Sequence, residues 1–127
     1  MIVVDASAAV AALLNDGQAR RLLGAERLHA PHLIDSEIAS ALRRQVHNKR
    51  ISPMDGRNAL DTWRRLALAR YPIPGMLRRI WALRDNLSAY DASYVALAES
   101  LDCALVTADA RLSNAPDKRC PVTVIPD

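Results

Sequence analysis

The order of apolar and polar segments predicts an α/β sandwich around a short central parallel sheet, and three observations carry that prediction. Ile2–Val4, Ala104–Thr107 and Val122–Ile125 are apolar runs too short for helices, so they read as core strands. Segments of helical periodicity separate them. No Asn-Gly or similar two-residue hairpin signal joins any two runs, so consecutive strands need crossovers and lie parallel.

In chain order, Ile2–Val4 ends at Asp5, and Ala6 to Leu14 supplies good helix formers until Asn15-Asp16-Gly17 interrupts. Gln18 to Ala25 reads as a second short helix, and Leu28 to Ala30 as a strand closed by Pro31. Leu33, Ile34, Ile38, Ala41, Leu42 and Val46 recur at helical spacing, which predicts a helix over residues 32–48. Ser52-Pro53-Met54-Asp55 has the form of a helix start, with a capping Ser, Pro in the first turn and an acid three residues on; that helix is expected to reach about Ala69. Prolines 72 and 74 keep residues 70–74 extended. Met76 to Arg84 is helical, Asn86-Leu87-Ser88 ends it, and Ser88 caps a strong helix through Glu99. Residues 1–127 are read as a single domain without internal repeats.

Half of the residues are hydrophobic, almost all Ala, Leu, Ile and Val with no Phe, which favours helices packed closely through small side chains. No apolar run reaches the roughly 18 residues of a membrane span. The opening Met1 to Leu14 lacks a basic leader and carries Asp5 in its middle, so it reads as a buried strand entering a helix rather than a signal peptide, and a cytoplasmic protein is expected. Cys103 and Cys120 have no metal-ligand spacing and are expected as two buried thiols. His29, His32 and His47 likewise form no zinc pattern.

The net charge of +3 is unevenly spread. Residues 43–79 hold ten basic side chains against Asp55 and Asp61, while the remainder is acidic overall. Fifteen of the seventeen basic residues are Arg, whose planar fork matches phosphate oxygens. Such a basic middle beside an acidic framework suits a protein that holds a polyanion and gathers carboxylates elsewhere. Arg44, Lys49 and Arg50 are the candidate polyanion contacts. A solvated helix face, with arginine favoured by codon composition, is the alternative.

Four acids stand out. Asp5 follows the first strand and Asp109 follows Ala104–Thr107, at the sheet edge where open parallel sheets bind ligands. Asp91 shares a helical stripe with Tyr94, Val95 and Ala98, and Glu37 with Leu33, Ile34 and Ala41, so both face inward. Each alone also suits a structural role: Asp5, Asp91 and Asp109 near helix starts, and Glu37 beside an arginine. Together they are mutually repulsive unless a cation offsets them, and oxygen-only donors favour Mg²⁺ or Mn²⁺. Asp35 falls on another face of its helix and is expected to be solvated.

The segments Val3-Val4-Asp5-Ala6-Ser7, Pro31-His32-Leu33-Ile34-Asp35-Ser36-Glu37, Tyr90-Asp91-Ala92-Ser93-Tyr94-Val95-Ala96-Leu97-Ala98 and Leu105-Val106-Thr107-Ala108-Asp109 resemble, in order and spacing, a PIN domain, and more narrowly a VapC-type toxin ribonuclease of a bacterial toxin–antitoxin pair. The resemblance implies a PIN-like fold and a Mg²⁺- or Mn²⁺-dependent RNA endonuclease, usually a homodimer, silenced by a small antitoxin. By motif, Asp5, Glu37, Asp91 and Asp109 take the acidic positions. Asp5, Asp91 and Asp109 are the implied metal ligands, Glu37 is a general base or outer ligand, and Ser7 and Thr107 are supporting hydroxyls. A dehalogenase-like phosphatase would need an acid where Ser7 stands, and a phosphoacceptor receiver would need paired acids at Asp5. A non-catalytic RNA-binding module and an RNA-processing factor are the remaining alternatives.

Overall fold

A computed structural model describes residues 1–126. Its centre is the strand β1 (Ile2–Val4), whose three side chains are all buried. It pairs in parallel with β2 (Leu28–Pro31) on one side and β4 (Ala104–Thr107) on the other. β3 (Leu68–Tyr71) and β5 (Val122–Val124) form the edges, giving the order β3-β2-β1-β4-β5 with every pairing parallel. The expected parallel α/β architecture is therefore present.

Six helices connect the strands: α1 (Ala6–Leu14), α2 (Gln18–Ala25), α3 (Ile34–His47), α4 (Pro53–Arg65), α5 (Leu77–Ala82) and α6 (Ala89–Leu101). α1 buries Ala8, Ala9, Val10 and Ala11, small side chains that let the helix approach its neighbours closely. α6 buries every residue from Ala92 to Ala98 and packs against β1, β2 and β4. A helix apolar on all sides is a core element, and this one carries Asp91 at its mouth. α3 turns Ile34, Ile38 and Leu42 inward. It meets α4 so closely that a Cβ on Gly56 would stand 3.0 Å from Val46 Cγ2. No helix among the described residues is long and apolar enough to cross a membrane.

The structure departs from the sequence reading at α4. The helix stops at Arg65, not near Ala69, and residues 68–71 form β3, paired from Leu28↔Leu68 to Pro31↔Tyr71. Leu, Ala and Arg are helix formers, but local propensity yields here to the open edge of β2, and Pro72 disfavours helix for the residue before it. The Met76–Arg84 segment divides into a 3₁₀ turn at Pro74–Met76 followed by α5. Cys103 is half-buried and Cys120 buried, both as free thiols.

Asp35 is not simply solvated. Its carboxylate accepts bonds from Arg70 Nε and the Arg70 guanidinium at 2.7 and 2.9 Å and from the Trp63 indole at 2.8 Å. These bonds hold the carboxyl below its usual range, the Arg70 bonds contributing most. They tie α3 to α4 and β3, so α3 enters the sheet edge in a fixed orientation two residues before Glu37.

Trp63 is buried, and removing its acceptor orphans the indole N–H, at a cost of about 1–3 kcal/mol. Asp35→Ala is expected to lower the unfolding free energy from urea titration by that amount, and Arg70→Ala by less, because the Arg70–Asp35 pair is partly exposed. Equal midpoints for Asp35→Ala and wild type would remove this network from the account of the fold.

Candidate active site

Parallel β1 and β4 end side by side, so the residues that follow them meet at one edge. Asp5 continues the ladder by donating its backbone N–H to Val106. Its side chain then turns into α1, where Oδ1 accepts from the Ala8 N–H at 3.0 Å and from Ser7 Oγ at 2.7 Å, and Oδ2 accepts from Thr107 Oγ1 at 2.5 Å. Ser7 and Thr107 are themselves held from β4's exit: the Ala108 N–H donates to Ser7 Oγ and the Asp109 N–H to Thr107 Oγ1. Each hydroxyl has one proton and gives it to Asp5. The 3.2 Å approach of the two hydroxyls therefore carries no further bond.

A cleft of about 480 Å³ opens beside this clamp and is lined by Asp5, Glu37, Asp91 and Asp109, with Arg44 and Tyr90 among its walls. The four predicted acids thus share one space. Two of them also serve the backbone. Asp5 caps α1, Asp109 caps the 3₁₀ turn Ala110–Asn114, and Asp91 sits in the first turn of α6, which Ser88 caps. The capping and clustering readings hold at once, because a strand that ends where a helix begins puts one acid in both places.

Burial pushes the carboxyls of Asp5, Glu37 and Asp91 above their ordinary values. Neighbouring charge adds to this: Asp91 on Asp5, Asp91 and Asp5 on Glu37, and Asp109 on Asp91. Asp109 is the exception, held low by the guanidinium of Arg111. Glu37 Oε1 accepts the Tyr94 hydroxyl at 2.6 Å, and burial beside that carboxylate drives the Tyr94 phenol far above its usual range.

The donor set is four carboxylates without Cys or His, which fits a hard divalent cation. Among the described residues no three such side chains are already closed around an ion-sized point. The reason is visible: Asp109 is turned to Arg111 and Glu37 is tethered to Tyr94. Among the described residues, no basic side chain lies within salt-bridge distance of Asp5 or Asp91, both of which face the cleft.

The basic candidates divide. Arg44 borders the acid cleft and, with Arg50, an adjoining groove that runs past Ser7, Asp109 and Arg111. Lys49 lies in the exposed turn after α3, with φ at 60°, and lines neither space. Sequence reasoning missed Tyr94, which reads as one more apolar position of α6, and Arg111. The signal for Arg111 was a guanidinium two residues after a site acid.

Comparison with known proteins agrees with this fold. The PIN domain family model matches residues 2–118. A VapC ribonuclease of Mycobacterium bovis, Mb0985, and ribonuclease VapC9 of Mycobacterium tuberculosis are each 69% identical over 126 residues, covering 99% of both chains. The crystal structure of PAE2754 from Pyrobaculum aerophilum superposes with a TM-score of 0.71 at 25% identity, over 95% of this chain and 87% of that one.

The raised carboxyls bind protons more tightly in the fold than in the unfolded chain, so they favour folding below their raised pKa values and oppose it at neutral pH. Asp35 and Asp109 act oppositely, and their contribution fades only as pH falls through their depressed values. Cation-free protein is therefore expected to gain stability as pH drops from 7 toward the raised values. In EDTA at pH 7, Asp91→Asn should melt higher than wild type. Asp109→Asn should not, since it forfeits the Arg111 pair. A lower melting temperature for Asp91→Asn would mean that Asp91 is a structural acid.

Proposed function

Since the chain belongs to the PIN-domain family, and at 69% identity over nearly its whole length to the VapC-type toxin ribonucleases, we propose that its acid cleft hydrolyses RNA phosphodiesters with divalent cations held by Asp5, Asp91 and Asp109. The chain is the toxin endoribonuclease of a toxin–antitoxin pair. The observation that carries the site assignment is the convergence of four carboxylates on one cleft at the C-terminal edge of a parallel sheet.

A phosphodiester is anionic and carboxylates repel it, so the cleft needs an intervening positive charge. Mg²⁺ or Mn²⁺ supplies that charge and Lewis-acid activation of water. The protein's part is placement. Ser7, Thr107 and the Ala8 N–H hold both oxygens of Asp5 in one orientation, as fixed neighbours of a ligand carboxylate should. Asp91 projects from the first turn of a helix that is buried from Ala92 to Ala98 and so has a rigid base. Glu37 has Oε1 held by Tyr94, which leaves Oε2 to accept a proton from the attacking water. Its raised pKa brings it nearer the operating pH of a general base. In-line attack leaves a 5′-phosphate and a 3′-hydroxyl.

The strand enters along the groove that carries Arg44 and Arg50, and Lys49 lies in the exposed turn after α3. The protein works as a single nuclease domain over residues 1–127, in a homodimer in the cytoplasm, and a cognate antitoxin closes the groove.

Asp91→Asn keeps the shape of the side chain and removes its charge. It is expected to cut RNA at least a hundredfold more slowly, on the order of an essential electrostatic group, while its circular dichroism matches wild type. EDTA should abolish cleavage and Mn²⁺ restore it. Cleavage by Asp91→Asn at the wild-type rate refutes the assignment. Neutralising Arg44, Lys49 and Arg50 together should weaken binding of all RNA sequences alike and flatten its salt dependence. An unchanged slope makes these residues plain solvated surface.

A further inference from the structure

Among the described residues, Arg111 alone carries a guanidinium bonded to a carboxylate of the acid cleft. Its Nε lies 3.0 and 3.1 Å from the two oxygens of Asp109, and a terminal guanidinium nitrogen lies 2.6 Å from Oδ2. Its backbone N–H also donates to Oδ1 at 3.0 Å. The Arg111 side chain is 85% exposed and that of Asp109 only 28%. The pair therefore sits at the lip of the cleft with its cation on the solvent side. Arg111 borders the groove that holds Arg44 and Arg50, and on its other side a hollow that holds Ser88 and Asp91. It stands where the acidic and basic spaces join.

An exposed ion pair contributes little to stability, so this one exchanges easily. A divalent cation such as Mg²⁺ carries twice the charge and approaches a carboxylate oxygen to about 2.0–2.1 Å, closer than the guanidinium does. Bound at Asp109, it would therefore displace the guanidinium. The freed side chain stays tethered two residues away, beside a groove built for an anionic strand, and its fork suits a phosphate.

We propose that Arg111 is an exchangeable counter-ion: it holds the Asp109 carboxylate while the cleft lacks a cation, and passes to a phosphate of the RNA strand once a cation takes Asp109. The proposal rests on Asp109 being a ligand, as in the reading above. It accounts for the pairing of this acid with Arg111, and it makes cation loading and strand binding mutually supportive.

The test has two parts. Mn²⁺ alone is titrated calorimetrically into wild type, Arg111→Gln and Asp109→Asn. The salt dependence of binding is then measured for a single-stranded RNA oligonucleotide, in EDTA and with Ca²⁺ in place of Mn²⁺ to slow cleavage. Arg111→Gln should bind Mn²⁺ about two- to fivefold more tightly than wild type, the range that an exposed ion pair supports. With Ca²⁺ its salt slope should fall by about 0.7, one phosphate contact on a single strand, and in EDTA it should match wild type. Mn²⁺ affinity equal to or weaker than wild type overturns the exchange. A slope lowered equally in EDTA and Ca²⁺, or lowered in neither, overturns the transfer to phosphate. Asp109→Asn should lose Mn²⁺ affinity; if it binds as tightly as wild type, the ligand assignment itself falls, a failure visible apart from the behaviour of Arg111.

Discussion

The carboxylate of Asp5 is the point on which the rest of the site depends. It is 6% exposed at the junction of the two central strands, and a charge so placed persists only if nearby donors replace its lost water. Two hydroxyls and one backbone N–H do so, each contributing about 1.5–3 kcal/mol as a bond to a charged group. Those donors come from both strand ends, since Ser7 follows β1 and Thr107 closes β4. The clamp therefore joins the two strands at their exit and fixes where the chain turns toward Asp109. The Asp5 carboxyl nonetheless stays above its ordinary range, burial being the largest cause and the charge of Asp91 adding to it. A site that keeps an anion in that condition is prepared for a cation.

The same constraint orders the helices. α6 reaches Asp91 to the cleft only because the following seven residues, Ala92 to Ala98, are all buried and cannot rotate away. α3 reaches Glu37 to it because Asp35, on a different face, is locked to Arg70 and Trp63. A structural acid and a site acid two residues apart thus divide one helical turn between them. Tyr94 closes the arrangement from below, its hydroxyl bonded to Glu37 and its ring in the core.

Charge is separated by depth. The acids lie inside, with three of the four carboxyls raised by burial first and by one another second. Arg44 and Arg50 line the approach, and Arg111 is the link between the two fields. On the proposed function, a polyanion is drawn to the outer field by long-range attraction and enters the inner one only when the carboxylates carry a cation. On that reading, loading by metal and by nucleic acid both follow from one charge distribution.

Much of this was determined by local sequence. Runs such as Ile2-Val3-Val4 and Ala104-Leu105-Val106-Thr107 can bury both faces only as inner strands, and an acid directly after each must then lie at the sheet's edge. Asp91 and Glu37 were legible because a helix period shows which way a side chain points. What the tertiary structure alone decided involves partners distant in sequence. Leu68–Tyr71 became a strand because an unpaired β2 edge was available, which no local propensity encodes. Asp35 found Arg70 and Trp63, 35 and 28 residues away, and Glu37 found Tyr94, 57 residues away. Periodicity gives the direction of a side chain but not what stands opposite it. The partner is set by how the elements pack, and that depends on every buried contact in the chain at once.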